Sequence, residues 1–224
     1  MSDEIKFKLH VDEFQRAAEK LAAYSKRDGE TFMKEQIRGF IRHLLDFTPP
    51  SRGSTRGVKA KRLGDQAITG DIRAVFSGVS DPKRATVDSM AQMRSVLKSR
   101  RRSGSMRVAK GGTKIKAPRA LIAELIKAKK ARVGYLASAW ATAARGVGKV
   151  RVPAWVSRHA APGNTDITVR EGEISASITN AVEWAGKVNG LRARVNAALR
   201  AQSRAMEKRL LYYIINVRRK SGFD

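Results

Sequence analysis

The stretch Asp166-Ile167-Thr168-Val169-Arg170-Glu171-Gly172-Glu173-Ile174-Ser175-Ala176-Ser177-Ile178-Thr179 decides the fold class. Apolar and polar residues alternate at period two through 166–170 and again through 173–179, the pattern of strands with one covered face. Glu171-Gly172 between them is a tight-turn signal, so the stretch predicts a β-hairpin. The other periodic segments read as helices. Helices before and after a small antiparallel sheet make an α+β fold.

Upstream, residues 11–24 carry Phe14, Ala17, Ala18, Leu21 and Ala22 at helical spacing. A second helix is predicted over 30–47, with Phe32, Met33, Ile37, Phe40, Ile41, Leu44 and Leu45 in one apolar stripe, stopped by Thr48-Pro49-Pro50. Residues 51–61, rich in Ser, Gly, Thr and basic side chains, read as an exposed linker or arm. Short helices are predicted over 63–76 and 83–98, the latter entered through Ser80-Asp81-Pro82. The stretch 99–116 has no periodicity and reads as a basic loop that phosphate would order. A helix over 118–145 follows, with Gly134 permitting a bend. Residues 152–156 look like a connector. The last element, a long C-terminal helix over 191–217, has Val195, Ala198, Leu199, Met206, Leu210 and Ile214 on its buried stripe. The chain thus divides into an N-terminal helical part of the core (1–50), a large basic insertion or arm (51–117), and an α+β core with the hairpin and C-terminal helix (118–224).

The 224 residues carry a net charge of +26, while a hydrophobic fraction of 42% is that of an ordinary globular protein. The cationic excess has therefore not replaced a core. It is also local: 18 Lys or Arg against one acid in 94–158, and 9 against one in 192–220, with the remainder nearly neutral. Charge concentrated in this way is an electrostatic footprint for a polyanion. A membrane surface fits less well, because no basic stretch has a continuous bulky apolar face. No run approaches the roughly 18 apolar residues of a membrane span. Cysteine is absent, and acids stand where a signal peptide would be basic, so a protein made and kept in a reducing cytosol is expected.

Catalytic chemistry finds no residues to use. His10, His43 and His159 are far apart and lack metal-site spacing, and acidic pairs lie where capping explains them. Lys110-Gly111-Gly112-Thr113-Lys114 lacks the phosphate-loop spacing. No enzyme activity, cofactor or metal is expected. Residues 94–132 contain no aromatic side chain, so base stacking cannot dominate, and contact with the double-stranded DNA backbone is the natural mode. The candidate DNA-contacting residues are Arg94, Lys98, Arg100, Arg101, Arg102, Arg107, Lys110, Lys114 and Lys116, continued along the following helix by Lys127, Lys129, Lys130 and Arg132. Tyr135, Trp140, Trp155 and Trp184 are candidate core or subunit-interface anchors.

Three motifs, in order, resemble the minor tail and tail-completion proteins of long-tailed bacteriophages, components of the head-to-tail neck. They are Leu44-Leu45-Asp46-Phe47-Thr48-Pro49, then Val133-Gly134-Tyr135-Leu136-Ala137-Ser138-Ala139-Trp140, then Ile178-Thr179-Asn180-Ala181-Val182-Glu183-Trp184-Ala185-Gly186-Lys187-Val188. In that family an amphipathic helix ends in Thr-Pro or Ala-Pro, a Thr-Gly-x-Leu-(x)3-Ser/Trp element follows, and a later strand ends in Asn-x-x-x-Tyr-Ala-x-x-Val. Here Val133 stands in place of the Thr, and the first two motifs are far apart where shorter members leave a few residues. The resemblance implies a homo-oligomeric ring of sixfold or twelvefold symmetry at the junction of capsid and tail of a virion. Its partners would be portal, connector or tail proteins, and it would be made in the cytoplasm of the bacterial host. The alternative is a stand-alone, sequence-nonspecific nucleic-acid-binding protein.

Overall fold

Strand β1 (Ile5–Lys8) is the first element of the computed structural model, which describes residues 5–8, 29–102, 113–170 and 173–221. The helix expected over 11–24 lies outside the described residues. Helix α1 (Gly29–Phe47) buries Phe32, Met33, Ile37, Phe40, Ile41, Leu44 and Leu45, the stripe that three- and four-residue spacing places on one face. It stops as expected: Thr48 N donates to Leu44 O at 2.8 Å, and the two prolines that follow, joined by a cis peptide bond, supply no donors.

In chain order there follow α2 (Gly57–Val75), β2 (Phe76–Val79), α3 (Met90–Arg102), β3 (Ile115–Pro118), α4 (Arg119–Lys130), α5 (Tyr135–Ala143), the short α6 (Ala154–Ser157), β4 (Gly163–Arg170), β5 (Glu173–Asn180) and α7 (Leu191–Ser221). The fold is α+β. The chain forms two compact units: one combines Met1–Ala60 with Gly134–Asp224, the other is Lys61–Val133.

The first unit holds the expected hairpin. β4 and β5 pair antiparallel from Gly163↔Asn180 to Arg170↔Glu173, and β1 adds to the far side of β5. Glu171 and Gly172 lie outside the described residues. α5 packs across this sheet and α1 packs against α5 and α7. Trp140, Ile178, Val156, Leu191, Val195, Ala198 and Met206 fill the space between them. Of the stripe expected on α7, the side chains of Leu210 and Ile214 lie outside the described ones.

The contact of α5 with the sheet is close enough that a Cβ on Gly163 would run into the backbone of Ala139. Four polar groups trapped there are paired, whereas the buried Trp155 Nε1 has no partner among the described residues. Trp140 Nε1 donates to Thr48 Oγ1 at 2.9 Å, Asn180 Nδ2 to Leu136 O at 3.1 Å, Ala161 N to Ser138 Oγ at 3.1 Å and Thr165 Oγ1 to Ala143 O at 2.9 Å.

The second unit differs most from the sequence reading. Where a basic arm is expected over 51–117, residues 61–133 build a core of their own from Ile72, Val75, Phe76, Val87, Met93, Leu97, Ala117, Ile122 and Leu125. β2 and β3 pair in parallel, Phe76 opposite Ile115. Parallel strands need a long crossover, and the segment containing α3 is that crossover. Four-residue strands containing Gly78 and Pro118 carry too little alternation to be read from sequence.

Three boundaries are corrected as well. The linker predicted over 51–61 contains buried Ser51, and α2 has begun by Gly57. The helix predicted over 83–98 is a 3₁₀ turn, Pro82–Arg84, followed by α3; Asp81 caps the turn by accepting from Lys83 N at 2.9 Å. The helix predicted over 118–145 is two helices. Gly134 has φ +99, and the chain passes there from one compact unit to the other.

A Cβ on Gly134 would lie 2.6 Å from Trp155 O and 2.7 Å from its ring. Gly190 also has positive φ, +72, with open space around it. The two glycines separate strain from crowding. Gly134→Ala is expected to lower stability by about 2–4 kcal/mol, combining left-handed strain with overpacking. Gly190→Ala should lower it by only about 1 kcal/mol. Urea denaturation of both variants checks the difference.

Candidate functional site

The basic candidates all belong to the unit Lys61–Val133, which carries 19 Lys or Arg against 5 Asp or Glu. Helix and strand geometry disposes them. On α3, Arg94 and Lys98 are one turn apart and exposed, because Met93 and Leu97 beside them turn into the core. Arg100 is half-covered and already engaged in an interaction. Arg101 and Arg102 continue the helix, with side chains outside the described ones, and Arg107 and Lys110 lie outside the described residues. Lys116 is exposed on β3 because Ala117, the next residue, is buried. Its carbonyl accepts from Thr86 N and Val87 N, which fixes the backbone around it.

Lys114 is exposed at the approach to β3. Lys127 and Arg132 are exposed near the end of α4, whereas Lys129 and Lys130 are half-buried and engaged in interactions. Lys127, Lys129 and Lys130 occupy the last turn of α4, where positive charge also complements the helix carbonyl end. Two cations were not singled out by sequence: Arg73 at the end of α2 and Arg119 at the start of α4 share a cleft with Lys114. Only the parallel strand pair brings them together, and its strands were not legible in the sequence. Phe76 is the single aromatic residue of 61–133, and it is buried. This unit therefore presents exposed cations and no exposed aromatic side chain on which a base could stack.

The four aromatic candidates lie in the other unit and divide by burial. Trp140 is fully buried and Trp155 nearly so, at 0% and 7% exposure, and both are core residues of that unit. Trp184 is 45% exposed. It stacks on Tyr135 with ring centroids 6.5 Å apart, and His159 meets the other ring partner, Tyr135, edge-on at 6.0 Å. Tyr135, Trp184 and His159 thus form an aromatic patch on the first unit.

The basic C-terminal helix is partly structural. Arg194 on α7 donates to Phe47 O and Ser51 O, both at 3.2 Å, so it closes the carbonyl end of α1. A second polar cluster lies nearby in the chain. Arg56 bonds Gly53 O and pairs with Asp46 at 3.0 Å. Burial pushes the Asp46 carboxyl above its ordinary range, opposed by Arg56 and His43. Burial likewise holds His43 below its ordinary value, opposed by Asp46 and assisted by Arg56.

Among the described residues no three His, Asp or Glu side chains gather in a way that could hold a metal, and no helix is long and apolar enough to cross a membrane. Comparison with protein-family models, curated proteins and solved structures finds no match.

His43 gives a pH dependence of definite sign. Its folded pKa lies below 6.5, so the unfolded chain binds the proton more readily. Its contribution is complete above pH 6.5 and declines as pH falls toward the folded value. Chemical denaturation at pH 7.5 and 5.5 should show stability lost on acidification, and His43→Gln should lose less over the same interval.

Proposed function

We propose that this protein is a non-catalytic structural subunit of a bacteriophage particle, placed at the neck or tail-completion position, where it helps join head and tail and contacts the DNA backbone through the unit Lys61–Val133. One observation carries this reading. The three motifs of the resemblance, far apart in sequence, are bonded to one another in a single unit: Trp140 to Thr48 across 92 residues, and Asn180 to Leu136 across 44. Shorter members of the resembled family keep the first two motifs near each other. A compact insertion that leaves their contact intact is the simplest way to derive this longer chain from that pattern.

The charge supports the same role. A ring, sixfold or twelvefold as the resemblance implies, would multiply the basic unit around an axis and present it repeatedly to DNA or to acidic faces of portal, connector or tail proteins. Exposed Trp184 with Tyr135 is the face proposed for a subunit or neighbouring protein, large aromatics being the usual anchors of such contacts. The competing reading, a stand-alone nonspecific nucleic-acid binder, draws on the density of Lys and Arg in Lys61–Val133 alone and gives no reason for the likeness of the three motifs to that family.

Two measurements separate them. Mass spectrometry of purified particles should find the chain in the virion, and electron microscopy of the isolated protein should show rings. Binding to random duplex should weaken linearly in log-log against salt, with a slope of about −0.9 per phosphate neutralised. A monomer absent from particles that still binds duplex would establish the stand-alone reading instead.

A further inference from the structure

Three cations from three separate elements converge on one cleft of the unit Lys61–Val133: Arg73 from α2, Lys114 from the approach to β3, and Arg119 from the start of α4. The cleft encloses about 430 Å³, its walls include Phe76 and Ile122, and no carboxylate lines it. None of the three cations is in an ion pair among the described residues. All three are exposed to solvent, and like charges gathered at one cleft repel one another, an arrangement that an anion relieves. Arginine forks and a lysine arriving from different sides suit the tetrahedral set of oxygens on a phosphate. The first turn of α4 lines the same cleft and has no side-chain cap, so its leading N–H groups add to the preference for an anion. Gly78 completes the arrangement. A Cβ there would lie 2.8 Å from Arg119 Cγ, so glycine is what lets the arginine stem cross β2 into the cleft.

We propose that this cleft is a phosphate-binding site, with Arg73, Lys114 and Arg119 as its ligands; resting on the DNA reading above, the phosphate is one group of a duplex backbone. Three cations on one phosphate behave differently from three cations on three. With the full chain and random duplex, replacing all three by Ala should reduce the salt slope by about 0.9, whereas independent phosphates would reduce it by about 2.7. Gly78→Ala changes no charge, yet by displacing Arg119 it should weaken duplex binding about tenfold. Calorimetry with inorganic phosphate at fixed ionic strength should show saturable binding to the wild-type chain that both variants lose.

The arms fail separately. Duplex binding with a steep salt slope, undiminished by Gly78→Ala and reduced by about 2.7 in the triple variant, overturns the cleft and leaves the DNA reading standing. Saturable inorganic phosphate with no duplex binding at any salt upholds the cleft, assigns it to a free phosphate compound and overturns the DNA reading. Phosphate binding that survives in the triple variant overturns the site outright.

Discussion

The hydrogen bond from the buried Trp140 indole to the Thr48 hydroxyl is the constraint around which the larger unit is organised. A buried indole N–H without an acceptor costs about 1–3 kcal/mol, a cost that Trp140 avoids and that the buried Trp155 N–H, which has no partner among the described residues, does not. The acceptor of Trp140 sits just past α1, on a residue that is itself buried and whose N–H is held by Leu44 O in the last turn of that helix. Thr48 and Trp140 are 92 residues apart, so the bond joins the end of one segment to the middle of another. Whatever the chain does between them, it must return to the same place. The return is made at Gly134, whose positive φ and absent side chain let the backbone pass directly against Trp155.

From that junction the polar links run outward in one direction. Leu136, a turn before Trp140, offers its carbonyl to Asn180 at the end of β5, and Ser138 accepts from Ala161 ahead of β4. α5 is thus fastened to the helix before the insertion and to the sheet after it. The crossing of α1 and α7 uses a similar device: Gln202 donates to Gln36 at 2.9 Å, over Gly39, where any side chain would collide with the glutamine. Buried polar pairs of this kind select one packing among several that apolar contacts alone would tolerate.

Cationic residues consequently serve two purposes. Arg194 lies in a strongly basic segment yet closes the end of α1, and Arg56 holds the loop after α1 through Gly53 and Asp46. In the unit Lys61–Val133, Arg94, Lys98, Lys116 and Lys127 instead stand on faces opposite the core, and Arg73, Lys114 and Arg119 gather in a cleft. Net charge counts both kinds equally. Only position distinguishes a cation that completes the fold from one left on the surface.

Sequence alone determined α1, the β4–β5 hairpin, α7 and the concentration of charge in the middle of the chain. Those are local: periodicity over a dozen residues, a turn dipeptide, and a count of Lys and Arg require no knowledge of distant partners. The tertiary structure decided the rest. β1, β2 and β3 are four residues each and become strands only because a partner strand supplies their hydrogen bonds. The helix periodicity through 118–145 is continuous in sequence, and what breaks it is the close passage of Trp155 against Gly134, 21 residues ahead in the chain. Nothing in a linear pattern singles out Arg73 and Arg119, because it does not record that β2 and β3 lie side by side. Local order is written in neighbouring residues, whereas the junction and the cleft depend on contacts between residues that the chain must fold to bring together.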